Sequence, residues 1–255
     1  MNKILAVAGV VLRELCRRKD FYVLFILTAL ITLLMGAVGG SESVGALKEV
    51  CLLLILISSV VIAVTTTARQ IPVERETRTI FPLLAKPISR TQVLLGKFAG
   101  CWLASGLALL VFYLFFAVVA ASREHALPVI SYAQAFWLQW QGLGIVTAMT
   151  LLGSLVLSEP APNITLVIII TTGCLYLGRY LNKVALQYAE PGRTLLYALY
   201  FAIPHMEFFD MRDLIIHNWA AVAWADVALA TLYGYGYMAV FLLAACLLFR
   251  RKALN

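Results

Sequence analysis

Long apolar runs alternate with short polar segments along the chain, and this pattern predicts its architecture. Six runs approach the length of about 20 mainly apolar residues that an α-helix needs to cross about 30 Å of hydrocarbon. The pattern therefore predicts an all-α integral membrane protein with a single transmembrane domain over residues 1–255. Its six spans are expected at residues 21–39, 50–68, 98–121, 135–157, 164–180 and 227–249.

A shorter element, residues 1–19, precedes the first span. Ile4, Val7, Val11 and Leu15 recur at helical spacing, and basic residues crowd the end of the segment. This predicts an amphipathic helix in the membrane interface, with its basic side toward anionic headgroups. A simple basic anchor before the first span agrees with the residues equally well.

The stretch before the last span, residues 181–226, is the outer segment. Its two apolar parts, residues 194–203 and 214–224, are each shorter than a span, and Pro204 stops the first of them. Trp219 suits the membrane–water interface. The pattern predicts a pair of re-entrant or interface-lying helices, arranged as a hairpin in front of the sixth span.

Residues 69–97, the elbow, form the longest charged interruption in the first two-thirds of the chain. Two prolines bracket its centre and a third divides it, so short helices joined by corners are expected. At the exit, Ser89 and Gln92 have the spacing of a capping box, which predicts a helix that starts there and continues into the third span. The elbow is therefore expected to be a structured connection between the second and third spans.

The composition agrees with a membrane protein. Hydrophobic residues make up 62% of the chain and charged residues 13%, with a mean hydropathy of +0.91. Soluble domains hold roughly 45–50% apolar and about 25% charged residues. The net charge of +7 does not indicate nucleic-acid binding, because the basic residues gather at one set of helix ends.

The placement of the basic residues predicts the orientation. The positive-inside rule puts both termini and the elbow in the cytosol, and an even number of spans agrees with termini on one side. Fourteen basic residues fall on that side and six on the other. The fourteen are Lys3, Arg13, Arg17, Arg18, Lys19, Arg69, Arg75, Arg78, Lys86, Arg90, Lys97, Arg250, Arg251 and Lys252; the six are Lys48, Arg123, Arg179, Lys183, Arg193 and Arg212.

The chain carries no motif for catalysis of its own. Gly96-Lys97 lacks the earlier glycine and the following hydroxyl of a P-loop, and the usual protease and hydrolase motifs are missing. No acidic residue lies centrally in a span, which disfavours a proton relay. His205, Glu207 and Asp210 come nearest to a metal cluster, but an interfacial histidine is the simpler interpretation. We therefore expect no enzyme activity, cofactor or metal in this chain.

The elbow also has a recognisable order of residues. It reads Glu74-Arg75-Glu76, Arg78-Thr79-Ile80, Leu83-Leu84, Lys86-Pro87-Ile88-Ser89-Arg90 and Gly96-Lys97. This run resembles the loop between the second and third membrane helices of type-2 ABC exporter permeases. Arg78 stands where many relatives carry glycine, which argues against the tight turn that glycine allows. The outer segment and the basic C-terminal tail are similar to that family as well.

The resemblance implies a half-size permease subunit of an ABC exporter in a bacterial or archaeal inner membrane. Its elbow would be a coupling helix seated on a separate ATPase subunit, which would bind ATP and Mg²⁺. A second permease chain, either an identical copy or a sister chain, would complete the pathway, with membrane lipids around it and no nucleic acid. The residues that the resemblance places against the ATPase are Glu74, Arg75, Glu76, Arg78, Thr79, Leu83, Leu84, Lys86 and Arg90.

Polar residues inside the spans are candidates for a substrate path. Hydrogen bonding between helices is the simpler interpretation of each one. These candidates are Thr65, Thr66, Gln139, Gln141 and Thr171. Gly144 and Ala148 have the small-xxx-small spacing that lets two helices approach closely.

Two other functions agree with the same residues. A membrane scaffold or assembly factor could use the elbow to bind a cytosolic partner without transporting anything. A membrane enzyme could act on lipid at the outer segment through His205. The identity of a transported substrate does not follow from the sequence.

Overall fold

The computed structural model describes residues 8–11, 13, 19–38, 44–76, 89–124, 128–157, 159–187 and 189–251, and within these ranges it is helical without strands. Residues 8–11 and 13 are helical. The longer helices are α1 (Lys19–Val38), α2 (Val44–Ala68), α4 (Arg90–Glu124), α5 (Val129–Val156), α6 (Pro160–Ala185) and α9 (Trp224–Arg251). Shorter elements are α3 (Pro72–Glu76), α7 (Gly192–Ala202), a 3₁₀ helix (Met206–Phe209) and α8 (Arg212–Ile216).

Some of the long helices have the length and apolarity of membrane spans. Within the described ranges, three are long and apolar enough to cross a bilayer, over Val44–Glu74, Arg90–Arg123 and Trp224–Arg251. Shorter apolar helices cover Tyr22–Leu34 and Pro160–Tyr176. An all-α membrane protein is therefore confirmed, whereas the number of six spans stays a prediction.

Helix α5 lies at the centre and packs against α2, α4, α6 and α9. Close approach depends on its glycines: a Cβ at Gly144 would lie 2.5 Å from the Met238 sulfur and 2.9 Å from Trp102 Nε1. The neighbouring α4–α5 contact is a stacked indole pair, Trp102 and Trp140, with ring centroids 5.0 Å apart. Each indole Nε1–H donates to the other residue's backbone carbonyl at 3.0 Å. The predicted close packing at Gly144 is thus confirmed.

Ala8 and Val11, two residues of the predicted apolar stripe, face the interior of the bundle, while an interfacial helix over 1–19 stays a prediction. Ala8 and Val11 are buried, while Val10 is 66% exposed. They pack on α4, where a Cβ at Gly100 would lie 2.8 Å from Val11 Cβ. The remaining residues of the predicted helix over 1–19 lie mainly outside the described ranges.

The start of the third span agrees with the capping-box prediction. The Gln92 backbone N–H donates to Ser89 Oγ at 3.2 Å, and the Ser89 N–H donates to Gln92 Oε1 at 3.1 Å. The first backbone N–H groups of a helix have no intrahelical acceptors. The capping box supplies acceptors for two of them. Helix α4 then runs without a break from Arg90 to Glu124, so the exit of the elbow and the third span are one element.

The outer segment differs from its prediction. A helix over 194–203 is confirmed by α7, but the helix expected over 214–224 is wrong, because α8 ends at Ile216. Asn218 adopts a left-handed conformation with φ 51°, and the Trp219 N–H donates to the Leu214 carbonyl at 3.1 Å. This is the 6→1 bond of a Schellman motif, in which asparagine can replace glycine. The chain therefore turns out of the helix and stays non-helical until α9.

Side chains from other helices bond the non-helical backbone after α8. Lys48 Nζ donates to the Ile215 carbonyl at 3.1 Å and to Asn218 Oδ1 at 2.9 Å. Gln134 Nε2 donates to the Val222 carbonyl at 2.8 Å, and the Val222 N–H donates to Gln134 Oε1 at 3.0 Å. Backbone groups outside a helix lack intrahelical partners, and these side chains bond some of them.

Candidate functional site

The beginning of the elbow is fixed to α4 by a buried ion pair. Helix α3 follows α2 after a single turn and carries Glu74, whose Oε1 lies 2.7 Å from Lys97 Nζ of α4. Lys97 Nζ also donates to the Gln70 carbonyl at 2.9 Å. The side chain of Lys97 is only 3% exposed, and that of Glu74 is 28% exposed. A buried ammonium is tolerated when it is paired and hydrogen-bonded, as it is here.

The exit of the elbow is joined to the end of the last helix. Arg90 Nη1 donates to the Phe249 carbonyl at 3.1 Å, and its guanidinium lies 5.9 Å from the Phe249 ring centroid. In return, Arg250 Nη2 donates to Thr91 Oγ1 at 3.4 Å. An arginine that bonds the last carbonyls of a helix also interacts favourably with the helix dipole. The start of α4 and the end of α9 are thereby held together.

The structure describes four of the nine predicted ATPase-contacting residues. Glu74 and Arg90 make the internal contacts described above, and Glu76 is exposed at the end of α3. Arg75 lies within α3. Arg78, Thr79, Leu83, Leu84 and Lys86 lie outside the described residues. Contact of this set with an ATPase stays a prediction, and the Glu74–Lys97 pair was not foreseen from the sequence.

Among the candidates for a substrate path, Gln139 is engaged in a hydrogen-bond network between helices. Tyr113 Oη of α4 donates to Gln139 Oε1 at 2.7 Å, and Gln139 Nε2 donates to Ser59 Oγ of α2 at 3.3 Å. Ser59 Oγ donates in turn to the Leu56 carbonyl at 2.9 Å. This arrangement agrees with the simpler interpretation, helix–helix bonding, for Gln139.

Gln141 and Thr171 are different. Gln141 is fully buried, and neither polar atom of its amide has a hydrogen-bond partner within the described part of the chain. Thr171 Oγ1 is buried and likewise unbonded among those residues. Thr171 and Gln139 border one small cavity of about 20 Å³, which also reaches Asp210. Burial of an amide without a partner costs about 1–3 kcal/mol, so Gln141 is retained at the expense of stability.

The two threonines near the elbow end of α2 are less informative. Thr65 Oγ1 donates to the Val61 carbonyl at 2.7 Å, one helical turn back. Thr66 is buried. Back-bonding of this kind is the usual behaviour of a threonine within a helix. The role of either residue in a substrate path stays a prediction.

Two of the three residues of the outer segment that came nearest to a metal cluster, His205 and Asp210, bond other groups of the protein. His205 Nδ1 lies 2.9 Å from the Ile203 carbonyl, and its backbone N–H donates to Tyr233 Oη at 2.9 Å. Asp210 forms two 2.7 Å bonds with Arg212, and these bonds raise the pKa of Arg212. Within the described ranges, no group of three His, Cys, Asp or Glu residues could hold a metal ion.

Lys48 and Gln134, which bond the outer segment, were not predicted to do so. Lys48 was assigned only by its charge to the same side as Arg212, and its contact with the outer segment agrees with that grouping. The sequence did contain a signal for such bonds, because a lysine and a glutamine near the ends of apolar runs need hydrogen-bond partners nearby. Their partners, however, are backbone groups far along the chain, and these carry no sequence pattern.

Comparison with known proteins gives one family. Residues 5–254 match the family described as "ABC-2 family transporter protein". The match covers nearly all of the 255 residues, including the elbow and the outer segment. No curated protein matches the chain.

Proposed function

Because the chain belongs to the ABC-2 transporter family and is a membrane permease component of an ABC transporter, we propose that it is the permease subunit of an exporter. Proteins of this family are membrane components without catalytic activity of their own. The energy would come from a separate ATPase subunit docked on the elbow. That subunit would bind ATP and Mg²⁺.

In the proposed arrangement the chain crosses the inner membrane six times, with both termini and the elbow in the cytosol. The excess of basic residues on that side supports this orientation. A second permease chain, identical or related, would face this one across the pathway near the first, second and fifth spans. The described helices α1, α2 and α6 correspond to those spans.

The Glu74–Lys97 pair is the observation that carries the proposal. It joins α3, at the beginning of the elbow, to α4, at its exit. Lys97 also bonds Gln70 in the turn after α2, so α2, α3 and α4 meet at one ammonium. A push on the elbow would then move α2 and α4 as one body, as a two-state rigid-body switch requires.

The contact between Arg90 and Phe249 extends this unit. Because Arg90 bonds the last turn of α9, displacement of the α4 start would carry the end of α9 with it. Helix α9 packs against the central α5. Movement of the elbow would in this way reach the middle of the bundle through α4 and α9.

A charge-reversal experiment tests docking on the elbow. The permease is co-expressed with its ATPase, and the double variant Glu76→Lys, Arg78→Glu is purified through a tag on the permease. We expect the ATPase to be lost, since both charges belong to the proposed contact surface. Glu159→Lys is the matched control, because Glu159 is an exposed acid in the α5–α6 connection, on the same predicted side of the membrane. Full retention of the ATPase by the double variant would overturn docking through these charges.

The direction of transport needs a second measurement. Inside-out vesicles that contain the complex should take up cargo only when the ATPase can hydrolyse ATP. An ATPase variant without hydrolysis should still co-purify but should give no uptake. Uptake that is unchanged by loss of hydrolysis would contradict the exporter proposal.

A further inference from the structure

A cavity of about 350 Å³ lies beside the outer half of α9. Its walls come from α5, the 3₁₀ helix, the non-helical stretch before α9, and α9 itself. This outer cavity is lined by Leu138, Phe208, Met211, Val222, Asp226 and Tyr233, together with small and aliphatic residues of α9. A volume of this size suits a small organic molecule, since ligand pockets measure about 300–1,000 Å³.

Aromatic rings and one carboxylate give the outer cavity its chemical character. The rings of Phe208 and Tyr233 meet edge to face, with centroids 5.7 Å apart and an angle of 77° between planes. Phe208 is 43% exposed. Asp226 is the one charged residue in the lining, and within the described chain no hydrogen bond or ion pair engages its carboxylate. Aromatic faces attract cations through the ring quadrupole, and a carboxylate attracts them by charge.

The walls of the outer cavity are held in place by bonds that need no ligand. Tyr233 Oη accepts the His205 backbone N–H at 2.9 Å, which fixes the position of that ring. The Gln134 side chain bonds both the backbone N–H and the backbone carbonyl of Val222. A preformed site loses less conformational entropy on binding than one that must be ordered by its ligand.

A simpler reason exists for an acid at position 226. Asp226 lies in the first turn of α9, where a negative charge is favoured by the helix dipole. This explains the carboxylate but not the aromatic cavity that it borders. The same negative charge disfavours binding of an anionic lipid or a fatty acid. A neutral hydrocarbon ligand would need only apolar walls, without a carboxylate.

We propose that the outer cavity binds an amphiphilic cation, a molecule with an ammonium group on an apolar body. The ammonium group lies between Asp226 and the rings of Phe208 and Tyr233, and the apolar body lies along Leu138 and Val222. Binding of this kind is an equilibrium property of the permease, so it does not depend on ATPase docking or on the direction of transport.

Three probes that share an octyl group and differ in the charge of the headgroup test the preference of the outer cavity for a cation. The full-length chain is purified in dodecyl maltoside, whose micelles are neutral and contain no amine, and is titrated with octyltrimethylammonium, octanol and octyl sulfate. Saturation-transfer NMR or calorimetry measures each dissociation constant. We expect the cation to bind more tightly than either of the other probes. Equal affinity for octanol, or tighter binding of octyl sulfate, would overturn the proposal.

Variants locate the site. Asp226→Asn should weaken binding of the cation about two- to fivefold, the range for an exposed ion pair, and should leave octanol binding unchanged. Phe208→Leu keeps the apolar wall but removes a ring, and it should weaken cation binding by about two- to fivefold as well. Asp213→Asn is the matched control, because Asp213 is an exposed acid on α8 that does not line the cavity. Unchanged cation binding by correctly folded Asp226→Asn and Phe208→Leu would show that the site lies elsewhere.

Competition distinguishes the two sources of such a cation. Dihexanoyl phosphatidylcholine and dihexanoyl phosphatidylglycerol share their chains and differ in the headgroup. Displacement of the probe by the choline lipid alone would identify a lipid headgroup as the ligand. Displacement by neither lipid, with cation binding intact, would identify a soluble amphiphile. Displacement by the glycerol lipid as effectively as by the choline lipid would contradict recognition of the ammonium group.

Discussion

Replacement of Lys97 with methionine removes the charge at the junction of α2, α3 and α4 while keeping most of the side-chain volume. In the native structure Lys97 Nζ contacts Glu74 Oε1 at 2.7 Å and the Gln70 carbonyl at 2.9 Å. The variant leaves a carboxylate without its counter-ion. The second oxygen of Glu74 is buried and already has no hydrogen-bond partner among the described residues. The variant therefore isolates a partly buried negative charge.

The expected cost follows from the exposure of the two groups. Breaking a buried ion pair by removing one partner typically costs 3–5 kcal/mol. Lys97 is nearly inaccessible, but Glu74 is 28% exposed and can be partly solvated. We therefore expect Lys97→Met to lower the free energy of unfolding by about 2–3 kcal/mol. The double variant Glu74→Leu, Lys97→Met should recover most of that loss, because it leaves no uncompensated charge.

Unfolding of the full-length chain in mixed micelles, followed by circular dichroism, measures these differences. The four proteins of the cycle, namely native, Glu74→Leu, Lys97→Met and the double variant, give the coupling energy between the two positions. A loss below about 0.5 kcal/mol for Lys97→Met would match an exposed surface pair. That result, or a double variant no more stable than Lys97→Met, would refute the assignment of a buried junction.

Two further changes test the bundle interior. Gly144→Ala should destabilise the chain by about 1–3 kcal/mol, because its methyl group would meet the Met238 sulfur and Trp102 Nε1. Gly236→Ala should be neutral or stabilising in the same unfolding assay, because no described side chain and no described part of another helix lies within 4 Å of the added carbon. Equal effects of the two variants would contradict the packing. Gln141→Leu should raise the free energy of unfolding by about 1–2 kcal/mol, because it removes a buried amide that has no partner among the described residues. A loss of stability would show that Gln141 has a partner, whereas loss of transport with stability raised would place Gln141 on the substrate path.

Local signals allowed the helical framework to be predicted. The apolar runs gave the long helices, and the Ser89–Gln92 box marked where α4 begins, because both partners lie within one turn. The same kind of reasoning was wrong after Ile216, where the apolar pattern continues but the helix does not. There, a left-handed Asn218 and the side chain of Gln134 outweigh the pattern. Asparagine as a helix terminator is a weak signal, and a bond to a distant glutamine gives none.

The candidate sites were less predictable, because they depend on which neighbour each polar group meets. Gln139 and Gln141 are the same residue type two positions apart, so they point in nearly opposite directions from the helix. One meets Tyr113 and Ser59, while the other meets no polar partner within the described residues. The pairing of Glu74 with Lys97 likewise joins two residues that the elbow separates along the chain. Periodicity places such residues on a face of a helix but does not identify their partners.

The reciprocal bonds between Trp102 and Trp140 hold α4 and α5 together at the point where the two helices cross. Sliding one helix along the other would break both indole–carbonyl bonds and the ring stacking together, whereas a small tilt about the crossing would displace these atoms least. At 1.5 Å per residue, the arm from Trp102 to Arg90 is about 18 Å long and the arm from Trp102 to Glu124 about 33 Å. If α4 tilts about this crossing, a displacement at its Arg90 end would be about twofold larger at its Glu124 end.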